Sequence, residues 1–199
     1  MTKEDEESSI RKSIKGPSLG FTDNYPKRAM WEEIAKEFEG EFKIKHDAGN
    51  VLEIHHVSIP YKKWEIRISV SDSKPLKFQI DFSASQDFKM TVSWEDFIEK
   101  IIKKFVKAEI QMGWKEFDNR YLVKTNRSEL VKSVLSRDIQ KTMLKHNVYS
   151  LSYQTDSKKR TAELISVIQR TSGNKEMISD LIVMFQELMD NLLKSRVIN

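Results

Sequence analysis

Cysteine is absent from the 199-residue sequence. Its absence excludes disulfide cross-links, a thiolate nucleophile and every zinc site built with cysteine, and it fits a reducing compartment. Glycine is scarce at six residues, and proline at four. So few glycines supply little for a phosphate-cradling loop. No P-loop, dinucleotide-binding or G-x-S-x-G pattern occurs. Long apolar runs are missing too, with nothing near the ~18 consecutive apolar residues that a spanning helix needs. The opening stretch MTKEDEESSIRKS has no apolar core of the secretory kind. The expected location is the cytoplasm of a bacterium. A dominant charge is also lacking, since 34 Lys and Arg face 30 Asp and Glu for a net +4. Nucleic-acid domains gather a stronger basic field on one face, so composition argues against such a partner.

What is present suffices for a core. Hydrophobic residues make up 39% of the chain, with ten Phe, five Tyr and four Trp. Residues 1–27 are polar and mixed in charge, which predicts a flexible N-terminal tail. Residues 28–199 are then expected to form a single domain.

Trp31, Ile34, Ala35 and Phe38 fall at helical spacing. Residues 41–45 and 51–59 read as strands, separated by the turn cluster at 47–50 and limited by Pro60. In residues 63–70, Trp64, Ile66, Ile68 and Val70 alternate with Lys63, Glu65, Arg67 and Ser69. Residues 76–82 repeat the pattern with Leu76, Phe78, Ile80 and Phe82. Period-two alternation predicts antiparallel strands with one buried and one wet face.

Ser93 with Asp96 resembles a capping box, and Val92 with Phe97 a hydrophobic staple. The stripe Trp94, Phe97, Ile98, Ile101, Ile102 and Phe105 then predicts an amphipathic helix. Short strands follow at 108–112 and 121–124. A helix is expected from Ser128, with Ser136 capping a second stretch. Residues 147–155 and 161–170 read as a hairpin. Gly173 and Asn174 precede a last helix with the stripe Ile178, Leu181, Ile182, Phe185, Leu188, Met189 and Leu192.

The order predicts an α+β fold, an antiparallel sheet with amphipathic helices packed on one face. It also allows two related sheet-plus-helix halves, joined by residues 114–144.

That joining stretch runs through Glu116, Phe117 and Asp118, then Tyr121, Val123, Lys124 and Asn126. Val131, Leu135, Ser136, Ile139 and Leu144 complete it. It resembles a strand-turn-helix pattern of uncharacterised bacterial domains of unknown function. The resemblance implies no activity. Read physically, Phe117 and Tyr121 pack beneath the sheet edge, Asp118 accepts backbone N–H bonds, and Asn126 takes a left-handed turn conformation.

The histidines, His46, His55, His56 and His146, show no metal-ligand spacing, and no metal or cofactor is expected. Adjacent His55 and His56 point to opposite strand faces. The carboxylates Asp81, Asp87, Glu95, Asp96, Glu116 and Asp118 suit solvent, turn or cap roles, and no catalytic set emerges. Lys63, Arg67 and Lys77 share a strand face that lacks aromatics, so it reads as solvated rather than as a nucleic-acid platform. The expected function is a non-enzymatic protein-interaction or binding module, with a protein partner or self-association. A second expectation is a small apolar ligand between sheet and last helix, touching Phe105, Phe185 or Met189. Weak nucleic-acid binding through the basic sheet face is the third.

Overall fold

The computed structural model describes residues 25–46, 53–71, 74–94, 108–168 and 174–199. The turn expected at 47–50, residues 1–24 of the expected tail, Gly173 and the expected helix beyond Trp94 lie outside them. A 3-10 turn, Tyr25–Lys27, leads into helix α1, Arg28–Glu37. The strands are β1 Glu41–His46, β2 Glu53–Tyr61, β3 Trp64–Ser71, β4 Lys74–Ser83, β5 Lys89–Trp94 and β6 Ala108–Ile110. A single helical turn, α2, Lys115–Asp118, precedes β7, Tyr121–Thr125. Helices α3, Ser128–Val134, and α4, Arg137–Lys145, precede the hairpin β8, Val148–Asp156, and β9, Thr161–Ile168. Helix α5, Lys175–Lys194, follows.

One nine-stranded sheet runs β1-β2-β3-β4-β9-β8-β5-β7-β6, and every neighbouring pair is antiparallel. The late hairpin β8–β9 stands between β4 and β5. The two stretches that the sequence suggested as halves are therefore parts of one continuous sheet. This is an α+β architecture. No helix among the described residues is long and apolar enough to cross a membrane.

The alternation sorts the faces. Val57, Ile59, Ile66, Ile68, Leu76, Phe78, Ile80, Leu151, Tyr153 and Leu164 are buried on the helix side. Helix α5 lays its full predicted stripe on them, and Phe185 stacks on Phe78 with ring centroids 4.8 Å apart. Burying each such side chain contributes roughly 1.5–3 kcal/mol. On the other face, Arg67 pairs with Asp81, and Lys77 donates to Gln79, which donates to Glu163. Arg67 and Lys77 are thus tied to neighbouring acceptors, and Phe78 and Phe82 lie on the opposite side.

Three local expectations are corrected. Ser93 and Trp94 belong to strand β5, so the helix does not begin with Ser93 as its cap. Strand β5 lies between β8 and β7, and Met90, Thr91, Val92 and Ser93 are all buried. A strand buried on both faces carries no period-two signal, which leaves a competing helical pattern to dominate. Pro60 does not end β2, which continues to Tyr61. Strand β1 reaches only to Glu41 opposite Ser58, so the missing Pro60 N–H has no β1 partner to lose. Asn126 is not among the positive-φ residues. Its side-chain Oδ1 instead accepts the Lys89 N–H at 2.8 Å, tying β7 to the start of β5.

Candidate binding cleft

The stretch 112–121 is shaped by one carboxylate. Asp118 accepts the N–H groups of Met112 at 2.7 Å and Gly113 at 2.9 Å. Gly113 takes φ +83°, a conformation open to glycine at little cost. The turn of α2 then aligns an aromatic series. Trp114 and Phe117 stack with centroids 6.5 Å apart, and Phe117 and Tyr121 with 4.8 Å. Phe117 is fully buried, while Trp114 is half-buried at the surface end.

Tyr121 fixes this stretch against α4. Its hydroxyl lies 2.9 Å from the Met143 carbonyl oxygen and 2.8 Å from that of Val148, and its one proton is shared between them. Burial pushes the Tyr121 hydroxyl up to about 12. Ser136 caps α4 as the sequence predicts, accepting the Ile139 N–H at 3.2 Å. Ser136 also donates to Glu187 of α5. Asn191 of α5 donates to the Val134 carbonyl at 3.1 Å, closing the end of α3.

Between α2 and α4 lies an open cleft of about 550 Å³, lined by Trp114, Glu116, Asn119, Arg120, Lys141, Leu144, Lys145 and Asn147. Arg137, Lys141 and Lys145 occupy positions i, i+4 and i+8 of α4, one stripe of the helix. The Arg137 guanidinium carbon sits 3.4 Å from the centroid of the Trp114 ring. The Arg120 guanidinium carbon sits 4.3 Å from that of Trp94, and Arg120 donates to Asn147 Oδ1 at 2.9 Å. Asn147 holds φ 50°, a left-handed backbone that asparagine tolerates.

The charges fall into two groups. Lys141 is paired with Asp138 at 2.8 Å. Lys145 is paired with Asp180 at 2.7 Å and Glu176 at 3.3 Å. Those two carboxylates raise the Lys145 amine above its ordinary value, and Lys145, then His146, holds Asp180 below its own. Arg120 and Arg137, by contrast, have no carboxylate partner among the described residues.

The arrangement carries an electrostatic cost. Arg137 is the first residue of α4, where a cation opposes the positive end of the helix dipole. Like charges four apart on a helix repel by roughly 0.2–0.5 kcal/mol per pair. Residues that break local rules in this way mark sites where another requirement was met.

Two of the three residues expected to hold a ligand lie elsewhere. Phe185 and Met189 are fully buried in the α5–sheet interface. Phe105 is outside the described residues. His55 is buried against Glu53 at 3.2 Å, and His146 meets Asp180 at 2.8 Å. Among the described residues no cluster of three or more metal-ligating side chains occurs. Sequence reasoning passed over Trp114, Arg120, Arg137, Lys141 and Lys145. The signal for the last three was their spacing on one helix.

No family model matches the chain, and no curated protein does. Among solved structures, the crystal structure of the mycobacterial trehalose monomycolate transport factor A, TtfA, matches with a TM-score of 0.57. The match covers 88% of this chain and 97% of that one at 8% sequence identity. A likeness at that identity is one of fold.

Proposed function

We propose that the protein is a non-enzymatic binding module of the bacterial cytoplasm, engaging a protein partner through the cleft between α2 and α4. The observation that carries this is the pair of arginines, each set on an indole face and each without a carboxylate partner among the described residues. The cleft also combines apolar surface at Trp114 and Leu144 with amides at Asn119 and Asn147, a mixture suited to orienting a bound chain. TtfA, which shares the fold, is a transport factor, a role that accords with binding rather than catalysis.

Photo-crosslinking tests the proposal. A photoreactive residue is placed at Leu144 in the cleft, and a control at Lys77 on the open sheet face. In cells of the source organism, a discrete adduct should form from position 144, be lost when Arg137→Glu is added, and be absent from position 77. Equal adducts from both positions, or none from 144, would sink the proposal. So would turnover of ester, phosphoester or peptide substrates that disappears with Trp114→Ala.

A further inference from the structure

We infer that the cleft takes a short acidic peptide segment, its carboxylates held by Arg120 in the lining and by Arg137, which lies on the lining Trp114, with a neighbouring apolar side chain set against Leu144 and the edge of the Trp114 ring. The inference rests on the binding role proposed above and names the ligand's chemistry.

Guanidinium geometry is the starting point. A guanidinium carbon 3.4 Å from a ring centroid leaves no room for an N–H aimed into the ring. The Arg137 plane therefore lies nearly flat on Trp114, and its donors project sideways in a fixed fork. Such a fork matches the two oxygens of a carboxylate. Arg120 is held in a related way over Trp94, with one donor taken by Asn147 Oδ1. Stacking removes rotamer freedom before the ligand arrives, so less is lost on binding. The lysines add to the field, but their nearest carboxylates already belong to the protein.

The rest of the lining selects among anions. The charges facing the space are Arg120, Lys141 and Lys145 against Glu116. Glu116 can accept N–H groups of a peptide, donors that a phosphodiester backbone does not offer. Trp114 and Leu144 offer apolar contact that an inorganic anion cannot use. Asn119 and Asn147 suit a backbone that both donates and accepts. The open sheet face carries its own cations already paired with Asp81 and Gln79, and so does not compete.

Fluorescence anisotropy on the full chain tests this with a labelled peptide of four Glu-Leu repeats. The comparison probes are the Gln-Leu counterpart and an oligothymidylate of equal charge. The Glu-Leu peptide should bind at least about tenfold tighter than the Gln-Leu peptide and weaken as salt rises. Arg120→Ala and Arg137→Ala should each lower affinity about fivefold or more, and Arg137→Lys should not restore it, because an ammonium lacks the fork. Lys77→Ala should leave binding unchanged. Both arginines are exposed, and unchanged thermal unfolding of each variant checks that the fold is kept. Equal affinity for the Gln-Leu peptide, insensitivity to both arginine variants, tighter oligothymidylate binding, or no Glu-Leu binding up to millimolar concentration would each overturn the inference. A partner cross-linked from position 144 alongside any of these results would leave the binding role standing and remove only the acidic ligand.

Discussion

The ring of Phe185 lies on the ring of Phe78, centroids 4.8 Å apart and planes 19° from parallel. The contact joins the middle of α5 to β4, and both side chains are fully buried. Phe185→Ala should destabilise the protein by about 3–5 kcal/mol, and Phe185→Leu by less, as cavity-forming substitutions do. Urea unfolding followed by tryptophan fluorescence measures the difference. A loss under 1 kcal/mol for the alanine variant would mean the interface is looser than the stacking indicates.

Gly40 sits where β1 approaches β2. A Cβ there would lie 2.4 Å from the Ser58 carbonyl oxygen and 3.1 Å from the Ile59 side chain. The first of these is backbone and cannot rotate away. Gly40→Ala should therefore shift β1 and cost about 1–3 kcal/mol, the usual range for overpacking. Hydrogen exchange should quicken in Glu41–His46 more than in β4.

Two buried tyrosines set the alkaline limit. Burial pushes the Tyr121 and Tyr153 hydroxyls up to about 12. In the unfolded chain they ionise near 10. Their contribution is thus complete below pH 10 and is lost as pH rises through 12, by up to about 3 kcal/mol per tyrosine. Phenolate absorbance should appear together with unfolding rather than before it. Tyr121→Phe should flatten the alkaline slope, at the expense of the hydroxyl's bonds to Met143 and Val148.

The acid limit has the opposite sign. Lys145, then His146, holds the Asp180 carboxyl below its ordinary value of 3.8. This pairing stabilises the fold above that value and is lost as pH falls through the lower folded one. Asp180→Asn should lower stability at neutral pH and make it less sensitive to acid below pH 3.8. High salt should reduce the difference, because Lys145 is exposed and Asp180 only half-buried. A variant with an unchanged acid profile would show that the pair contributes nothing.

Much of this fold can be read in residue order. Strands β3 and β4 have one wet face, and Ile66, Ile68, Phe78 and Ile80 mark the other by simple alternation. Helix α5 shows its core stripe from Ile178 to Leu192, and Ser136 and Asn174 cap their helices with the expected backbone N–H groups. Strand β5 was hidden because Thr91 and Ser93 are buried opposite Met90 and Val92. The strand order was hidden for another reason: Asp81 pairs with Glu163, and no local pattern encodes a partner so distant. In the cleft, the cationic stripe of α4 was visible in the spacing of Arg137, Lys141 and Lys145. Its meeting with Trp114 depends on how Tyr121 docks α4, which is a tertiary fact.

The place of the hairpin β8–β9 bears on how the chain is made. During synthesis β1 to β4 emerge first and can pair in sequence, but β4 then presents an unsatisfied edge and the bare apolar face of Phe78, Ile80 and Phe82. Its partner β9 and the covering helix α5 are translated only later, after β5 to β8. Residues beyond α5 contribute as well, since Ala84 bridges to Ile198 and the Ser85 N–H donates to the Val197 carbonyl at 3.0 Å. Such exposed strand edges in nascent chains invite mispairing. Ribosome-bound chains halted before Thr161 should therefore be protease-sensitive and recruit holding chaperones, with native protection arriving only once β9 and α5 have left the ribosome.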